Sequence, residues 1–189
     1  MTAAEAFRFG GRLSLDLTWT LRYRRVAPRE MLERPTDLRR WISLAIAPVR
    51  GPIDDGALEA AIALRESVFR AAMDTIDGRP PRRTDRARIN DWAARPGPFR
   101  TLTGTHSSAT TLRPAAEAES ALAAIAIDAV DLLAAQDGRL RRCEGPDCAL
   151  LFHDASRPGR RRWCSTERCG NRVNTTAYRR RNAPIPTEE

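Results

Sequence analysis

The chain has 189 residues, enough for one medium domain or a domain with a small appendage, and its 42% hydrophobic content allows a genuine core. Its 32 basic residues are all arginine, and they outweigh 24 acidic ones to leave a net charge of +8. The most apolar run, "ALAAIAIDAVDLLAA", is broken by Asp128 and Asp131 and is too short to span a bilayer, which argues against a membrane protein.

The opening "FRFGGRLSLDLTWTL" carries no basic start followed by a long apolar run, so it does not read as a secretory signal. The expected location is cytoplasmic. Phe7, Phe9, Leu13, Leu15, Leu17, Trp19 and Leu21 fall at alternate positions around Gly10 and Gly11. Period two with a Gly-Gly turn predicts a β-hairpin. "PTDLRRWISLAIA" predicts a helix capped by Thr36, with Leu38, Trp41, Ile42 and Ala45 on one face. A second helix is predicted from Asp54 or Asp55, with Leu58, Ile62, Arg65, Phe69, Met73 and Ile76 along one path and Gly78 ending it. "TDRARINDWAA" predicts a shorter helix capped by Thr84. "FRTLTGTHSSATTLR" is rich in threonine and turn formers and reads as a small hairpin or loop. The strongest helix is predicted from Pro114 to Gln136, with Leu122, Ile125, Ala129, Leu132 and Leu133 as its stripe and Gly138 as its stop. No catalytic set and no phosphate-binding glycine loop emerges from residues 1–138, and His106 stands alone in a polar loop. The chain does not read as an enzyme.

All four cysteines, Cys143, Cys148, Cys164 and Cys169, fall in the last quarter with the spacing C-x4-C-x15-C-x4-C. Two close pairs joined by a middling loop suit a tetrahedral ion, each pair clamping from one turn. Four thiolates would fill the coordination sphere, so the metal would be structural. Two disulfides and an iron–sulfur cluster are the alternatives. Around the ligands, Gly145 and Pro146 turn the first knuckle, "ALLFHD" is a strand, and "RRWC" is its return strand. Ser165 caps a helix that carries Cys169 and runs on through "GNRVNTTAYRRR". Leu151, Phe152 and Trp163 form the expected core of this finger, and His153 is a half-exposed strand residue. Gly170 would let the backbone pass close to a ligand. The fold expected is treble-clef or ribbon-like, and too small to be stable without metal.

The charge excess is uneven. Residues 1–138 hold 20 arginines and 18 acids, whereas residues 139–189 hold 12 arginines and 6 acids. That asymmetry points to an acidic partner, most often nucleic acid. Arg157, Arg160, Arg161 and Arg162 flank the hairpin tip, and Arg168, Arg172, Arg179, Arg180 and Arg181 lie on the last helix. Tyr178 and Trp163 could add stacking to a single strand, but aromatic residues are few, so duplex DNA is the preferred target.

"WCSTERCGNR", preceded by "CEGPDCALLFHDASRPGRRR", resembles the CGNR zinc finger family, named for the tetrapeptide Cys169-Gly170-Asn171-Arg172. "GGRLSLDLTWTL", "ERPTDLRRWI", "ALEAAIALRESVFRA" and "AIDAVDLLA" resemble the helical ABATE domain that usually precedes this finger. The resemblance implies a transcription regulator with one structural zinc ion on Cys143, Cys148, Cys164 and Cys169. It implies a DNA-binding finger and an N-terminal domain that senses a small effector or pairs with a second copy. The family commonly has a lysine soon after the Gly-Asn-Arg; Asn174 stands there, so a phosphate contact is lost. The expected architecture is therefore mainly α with a small β-hairpin component. It comprises a helical ABATE-like domain at 1–138, a zinc finger at 139–182 and a disordered tail at 183–189. DNA would be held by Arg160, Arg161, Arg162, Arg172, Arg179, Arg180 and Arg181. The alternative is a zinc-stabilised protein-interaction or ligand-sensing module that binds no nucleic acid. A homodimer fits the DNA reading, because one small finger rarely specifies a site alone.

Overall fold

A computed structural model of the chain describes residues 7–104, 107–171 and 175. In chain order the elements are α1 (Leu13–Thr18), β1 (Leu21–Arg22), β2 (Arg29–Glu30), α2 (Pro35–Ala45), α3 (Asp55–Ile76), α4 (Arg83–Ala93), β3 (Phe99–Thr103), β4 (Ser107–Thr111), α5 (Glu117–Ala135), β5 (Leu140–Arg142) and β6 (Leu151–His153). A π-helical turn, Thr166–Gly170, carries the last cysteine. The strands form three separate antiparallel pairs. The chain is thus mainly helical with small strand pairs, as the sequence predicts.

The stripes of α2 and α5 behave as expected, whereas α3 buries Leu64 and Val68 beside the predicted path, of which Leu58 and Arg65 are buried and Ile62, Phe69, Met73 and Ile76 only partly so. Leu38, Trp41 and Ile42 of α2, Leu64 and Val68 of α3, Ile89 of α4 and Leu122, Ile125 and Ala129 of α5 share one core. Asp54 caps α3 by accepting from the Ala57 N–H at 2.8 Å. The other two predicted caps are wrong. Thr36 lies inside the first turn of α2, which starts with Pro35; the Asp37 carboxylate takes the N–H groups of Glu33 and Arg34 instead. Thr84 lies inside α4, and the next residue, Asp85, is buried against the Arg70 guanidinium of α3. There a tertiary ion pair, and no cap, sets the helix start. The helix α5 begins at Glu117, three residues after the predicted Pro114, since Ala115 sits at φ 62 in the left-handed region. Gln136, at φ 43, ends it before Gly138 does.

The predicted hairpin at the N-terminus is a correction of a larger kind, because α1 replaces it. Ser14, Leu15, Asp16, Leu17 and Thr18 are all buried. A helix buried on every side shows no 3.6-residue stripe, and its leucines happen to alternate. Leu17 enters the main core, while Leu15 joins a second cluster with Ala72, Leu132 and Leu151. The polar residues next to them are satisfied. The Ser14 N–H and hydroxyl donate to Asp128, and the Gly10 N–H donates to Asp16. Gly10 has to be glycine here, since a Cβ would come within 2.8 Å of the Trp19 ring.

A buried ionic network fastens the β1–β2 pair to α3. Arg65 is almost fully enclosed, with its guanidinium donating to Glu30 at 2.6 and 2.7 Å, to Glu66 at 2.8 Å and to Thr20 at 3.1 Å. Arg24 closes the network on Glu66. The predicted helix path through Arg65 therefore marks a buried charge that is fully paired.

The C-terminal finger does not stand alone. β5 pairs with β6 over Leu140–His153, Arg141–Phe152 and Arg142–Leu151. The predicted return strand "RRWC" is instead irregular, tied to the knuckle by the Glu144 N–H donating to the Arg162 carbonyl at 2.9 Å. Neighbouring residues on a strand face opposite ways. Leu151 accordingly packs into the helical domain, and Phe152 packs with Trp163 beside the cysteines. The expected three-residue finger core is therefore split. Trp19 of the N-terminal segment completes the seam, packing with Cys143, Leu150 and Phe152 and donating from Nε1 to the Leu151 carbonyl at 2.6 Å.

Candidate metal centre and arginine surface

The sulfur atoms of Cys143, Cys148, Cys164 and Cys169 all lie within 4.8 Å of one another. The separations are 3.8 Å for Cys148–Cys164 and 3.7 Å for Cys164–Cys169. A tetrahedron of zinc–sulfur bonds near 2.3 Å has sulfur–sulfur edges of about 3.8 Å. A disulfide needs sulfurs about 2.05 Å apart, so neither pair is bonded that way. An iron–sulfur cluster carries its cysteines around a multi-iron core, farther apart than one ion holds them.

The donor chemistry fits a cation equally well. Hydrogen bonds from the Cys148 and Cys164 thiols pull Cys143 down to about 2. The same sharing pushes Cys148 up to about 12 and Cys164 upward as well, while burial pushes Cys169 up. Four crowded thiols thus let one ionise readily, and the remainder need positive charge among them. A divalent ion supplies it and staples the two knuckles together. The backbone assists, with the Cys164 N–H donating to the Cys143 sulfur at 3.3 Å.

Local structure places each sulfur. Gly145 gives the first knuckle its close approach: a Cβ there would lie 3.2 Å from the Cys148 Cβ and 3.4 Å from the Cys169 sulfur. The sequence assigned that role to Gly170, which instead lies against the Trp163 ring. Ser165 caps the turn bearing Cys169, accepting from the Arg168 N–H at 3.3 Å, as predicted. His153 is half-buried and bonds Asp137 at 2.9 Å, away from the sulfurs.

The predicted arginines divide into groups. Arg160 and Arg157 are exposed and make no ion pair among the described residues. Arg162 is exposed and pairs with Glu144 at 2.6 Å. Arg161 donates from its side chain to the Cys164 carbonyl at 3.0 Å, and its own N–H is held by Asp154 at 2.7 Å. Arg172, Arg179, Arg180 and Arg181 lie outside the described residues, as do His106, Asn174, Tyr178 and the tail 183–189.

Two arginines counted toward the charge excess are structural. Arg139 donates to the Asp154 and Ser156 carbonyls, both at 2.8 Å, and Arg141 to the Gly159 carbonyl at 2.8 Å. The missed residue is Asp154, which is buried at the root of the tip. Burial would push its carboxyl up, but the Ser156 hydroxyl and the Arg161 and Ser156 N–H groups outweigh burial and hold it down at about 2. An Asp followed two residues later by Ser before Pro-Gly was the available signal for such a turn.

Residues 139–182 match the CGNR zinc finger. Residues 11–136, two thirds of the chain, match the ABATE family, described as "Putative stress-induced transcription regulator". The chain belongs to this family. Among curated proteins, nothing matches it. The family membership and the sulfur geometry together make the finger a zinc-binding module with one structural ion. Among the described residues, no helix is long and apolar enough to cross a membrane.

Proposed function

We propose that the protein is a DNA-binding transcription regulator whose zinc ion holds an arginine-bearing hairpin tip in a fixed shape. The observation that carries this reading is the tip itself. Arg157 and Arg160 are exposed without ionic partners among the described residues, on a turn made rigid by buried Asp154 and anchored beside the metal through Arg161. Exposed guanidinium groups on a fixed turn, with no ionic partner among the described residues, suit phosphate oxygens. The four-thiolate donor set leaves no coordination position for water, so the module acts by binding and not by catalysis. Arg172, Arg179, Arg180 and Arg181 would extend the surface, and a homodimer would supply a second finger.

One observation favours the second reading, a zinc-stabilised interaction module. Arg162 is paired with Glu144, and the finger is seamed to the helical domain through Trp19 and Leu151. The exposed Arg162–Glu144 pair is worth little, however, and phosphate would readily compete for it.

The test is fluorescence anisotropy on the zinc-loaded chain with random duplex DNA across a salt series. Binding should weaken linearly on logarithmic axes, and the Arg157→Gln/Arg160→Gln double variant should lower the slope by roughly two phosphates. Absence of duplex binding at low salt, or a slope untouched by the double variant, would overturn the reading.

A further inference from the structure

Residues 1–138 are nearly balanced, with 20 arginines against 18 acids, but α4 and its flanks are not. From Arg79 to Arg95 the chain holds six arginines and two acids, Asp85 and Asp91. The fold sorts these charges by depth. Asp85 is buried, and the Arg70 guanidinium of α3 takes its carboxylate. Asp74 of α3 is buried as well and accepts from Arg79 at 2.9 Å. Arg82, Arg83, Arg86 and Arg88 are all exposed. The spacing explains the sorting. Asp85 and Ile89, four residues apart, form the buried stripe of α4, which leaves Arg83, Arg86 and Asn90 along its outer side. The guanidinium groups of Arg83 and Arg86 make no ion pair or hydrogen bond among the described residues. Arg82 reaches Asp74 only at 3.9 Å, and Asp91 has Arg88 one turn before it.

This basic surface adjoins the metal centre. A cleft of about 960 Å3 separates the α3–α4 connection from the finger. Arg79 and Pro80 line one wall, and Arg142, Gly145 and Arg161 line the other. Arg142, at the end of β5, is exposed and has no ionic partner among the described residues. Two carboxylates of the lining, Glu144 and Asp137, are already bonded to Arg162 and His153. The outer side of α4 offers little to a protein or a membrane. Its large apolar residue, Ile89, is in the core, whereas the exposed apolar side chains such as Leu102 and Ile127 lie on other elements. Exposed cations without apolar neighbours suit a row of phosphates. Duplex DNA carries a charge about every 1.7 Å of its axis, and α4 runs for roughly 16 Å at 1.5 Å per residue. We propose that α4 is a second nucleic-acid-binding surface. Arg82, Arg83 and Arg86 hold the backbone of the same duplex that the finger holds, with Arg142 at the crossing between them. The zinc ion then keeps two basic surfaces at a fixed spacing.

This inference rests on the DNA reading of the finger in taking a duplex as the partner. Fluorescence anisotropy of the zinc-loaded full chain on a random duplex, across a salt series, tests it with Arg83→Gln/Arg86→Gln. The variant should lower the salt slope by roughly two phosphates and shorten the stretch of duplex protected from hydroxyl radicals. Arg83→Lys/Arg86→Lys should restore both, because the slope counts charges and not forks. The melting temperature of the helical domain should not move, since both side chains are exposed. Joined to Arg157→Gln/Arg160→Gln, the variant should lower the slope by roughly four. A slope and a footprint untouched by Arg83→Gln/Arg86→Gln, beside a slope lowered by the tip variant, overturn this inference and leave the finger reading standing. The converse overturns the tip reading and keeps α4 as the DNA surface. Absence of duplex binding at low salt overturns both. Phosphatidylserine vesicles bound more tightly than duplex, and released by the same α4 variant, would assign the surface to a membrane and overturn the proposal.

Discussion

In the helical domain Trp41, Ile42, Leu64 and Leu122 are wholly enclosed by apolar neighbours drawn from α2, α3 and α5. In the finger the most buried apolar side chains, Leu151 and Phe152, lean respectively on the other domain and on the four cysteines. One region carries its own core; the other borrows half of its packing and relies on a metal ion for the rest. A finger of this size buries too little apolar surface to offset chain entropy. The difference explains why arginines accumulate in the finger. A fold held by sulfur–metal bonds leaves its surface free for charge.

Metal removal should break this comparison most widely. Structural zinc sites contribute an apparent 10–16 kcal/mol or so in isolated fingers. Chelation, or Cys164→Ser, should therefore unfold the finger and leave α2 to α5 intact. Limited proteolysis with mass spectrometry should show cuts within 140–171 and protection of 35–135. A single cooperative loss of both regions would mean that the Trp19 seam couples them more tightly than their separate cores suggest. The reciprocal change is Leu122→Ala. Truncating a fully buried leucine should cost about 2–5 kcal/mol in thermal unfolding of the helical domain. Zinc stoichiometry should stay at one per chain, measured by metal analysis of the folded variant.

The same contrast governs what could be read in advance. The cysteine spacing was legible because tetrahedral coordination imposes local chemistry that no distant residue can override. The stripes of α2 and α5 were legible because each leaves one face to the solvent, whereas α3 packs against several elements and its central core residues, Leu64 and Val68, fell off the predicted path. α1 was misread since Leu15 and Leu17 serve two different clusters and the neighbouring Ser14 and Asp16 are buried too. A segment inside a seam has no exposed face to reveal its period. The caps at Thr36 and Thr84 failed because Asp37 and the Arg70–Asp85 pair took over those helix starts. Arg139, Arg141 and Asp154 looked like surface charge, and only the fold shows them latched into the tip. Net charge in sequence counts every arginine alike, whereas a binding surface depends on which ones remain unpaired.

The seam itself titrates. Burial pushes Asp16 up to about 6, against hydrogen bonds from the Gly10 and Gly11 backbone, with the Asp128 charge adding to the rise. The unfolded value is near 3.9, so the folded chain holds this proton more tightly. That contribution is full below about pH 4 and is lost as pH rises through about 6. It is worth at most about 3 kcal/mol by the size of the shift. Asp16→Asn should remove it while keeping an acceptor for the Gly10 N–H. Melting temperatures of variant and wild type should diverge between pH 4.5 and pH 7.5, with the variant gaining relative stability at the higher value. Taking the difference between the two proteins cancels the loss of zinc that acid causes in both. A constant difference across that range would place the titration elsewhere.

The smallest change aims at a hydrogen bond that crosses the seam from an aromatic ring. Trp19→Phe keeps an aromatic ring against Cys143, Leu150 and Phe152 but removes the Nε1 donor to the Leu151 carbonyl. Losing one neutral hydrogen bond costs about 1 kcal/mol. The helical core does not depend on that bond, since Trp41 and Leu122 lie in a different cluster. The loss should therefore appear on the metal side. Zinc transfer to a chromophoric chelator should speed up about fivefold, the factor that 1 kcal/mol represents, while the melting of the helical domain barely moves. If the chelator rate stays fixed and the helical domain melts earlier, then Trp19 belongs to the helical core and the finger holds its metal without help from its neighbour.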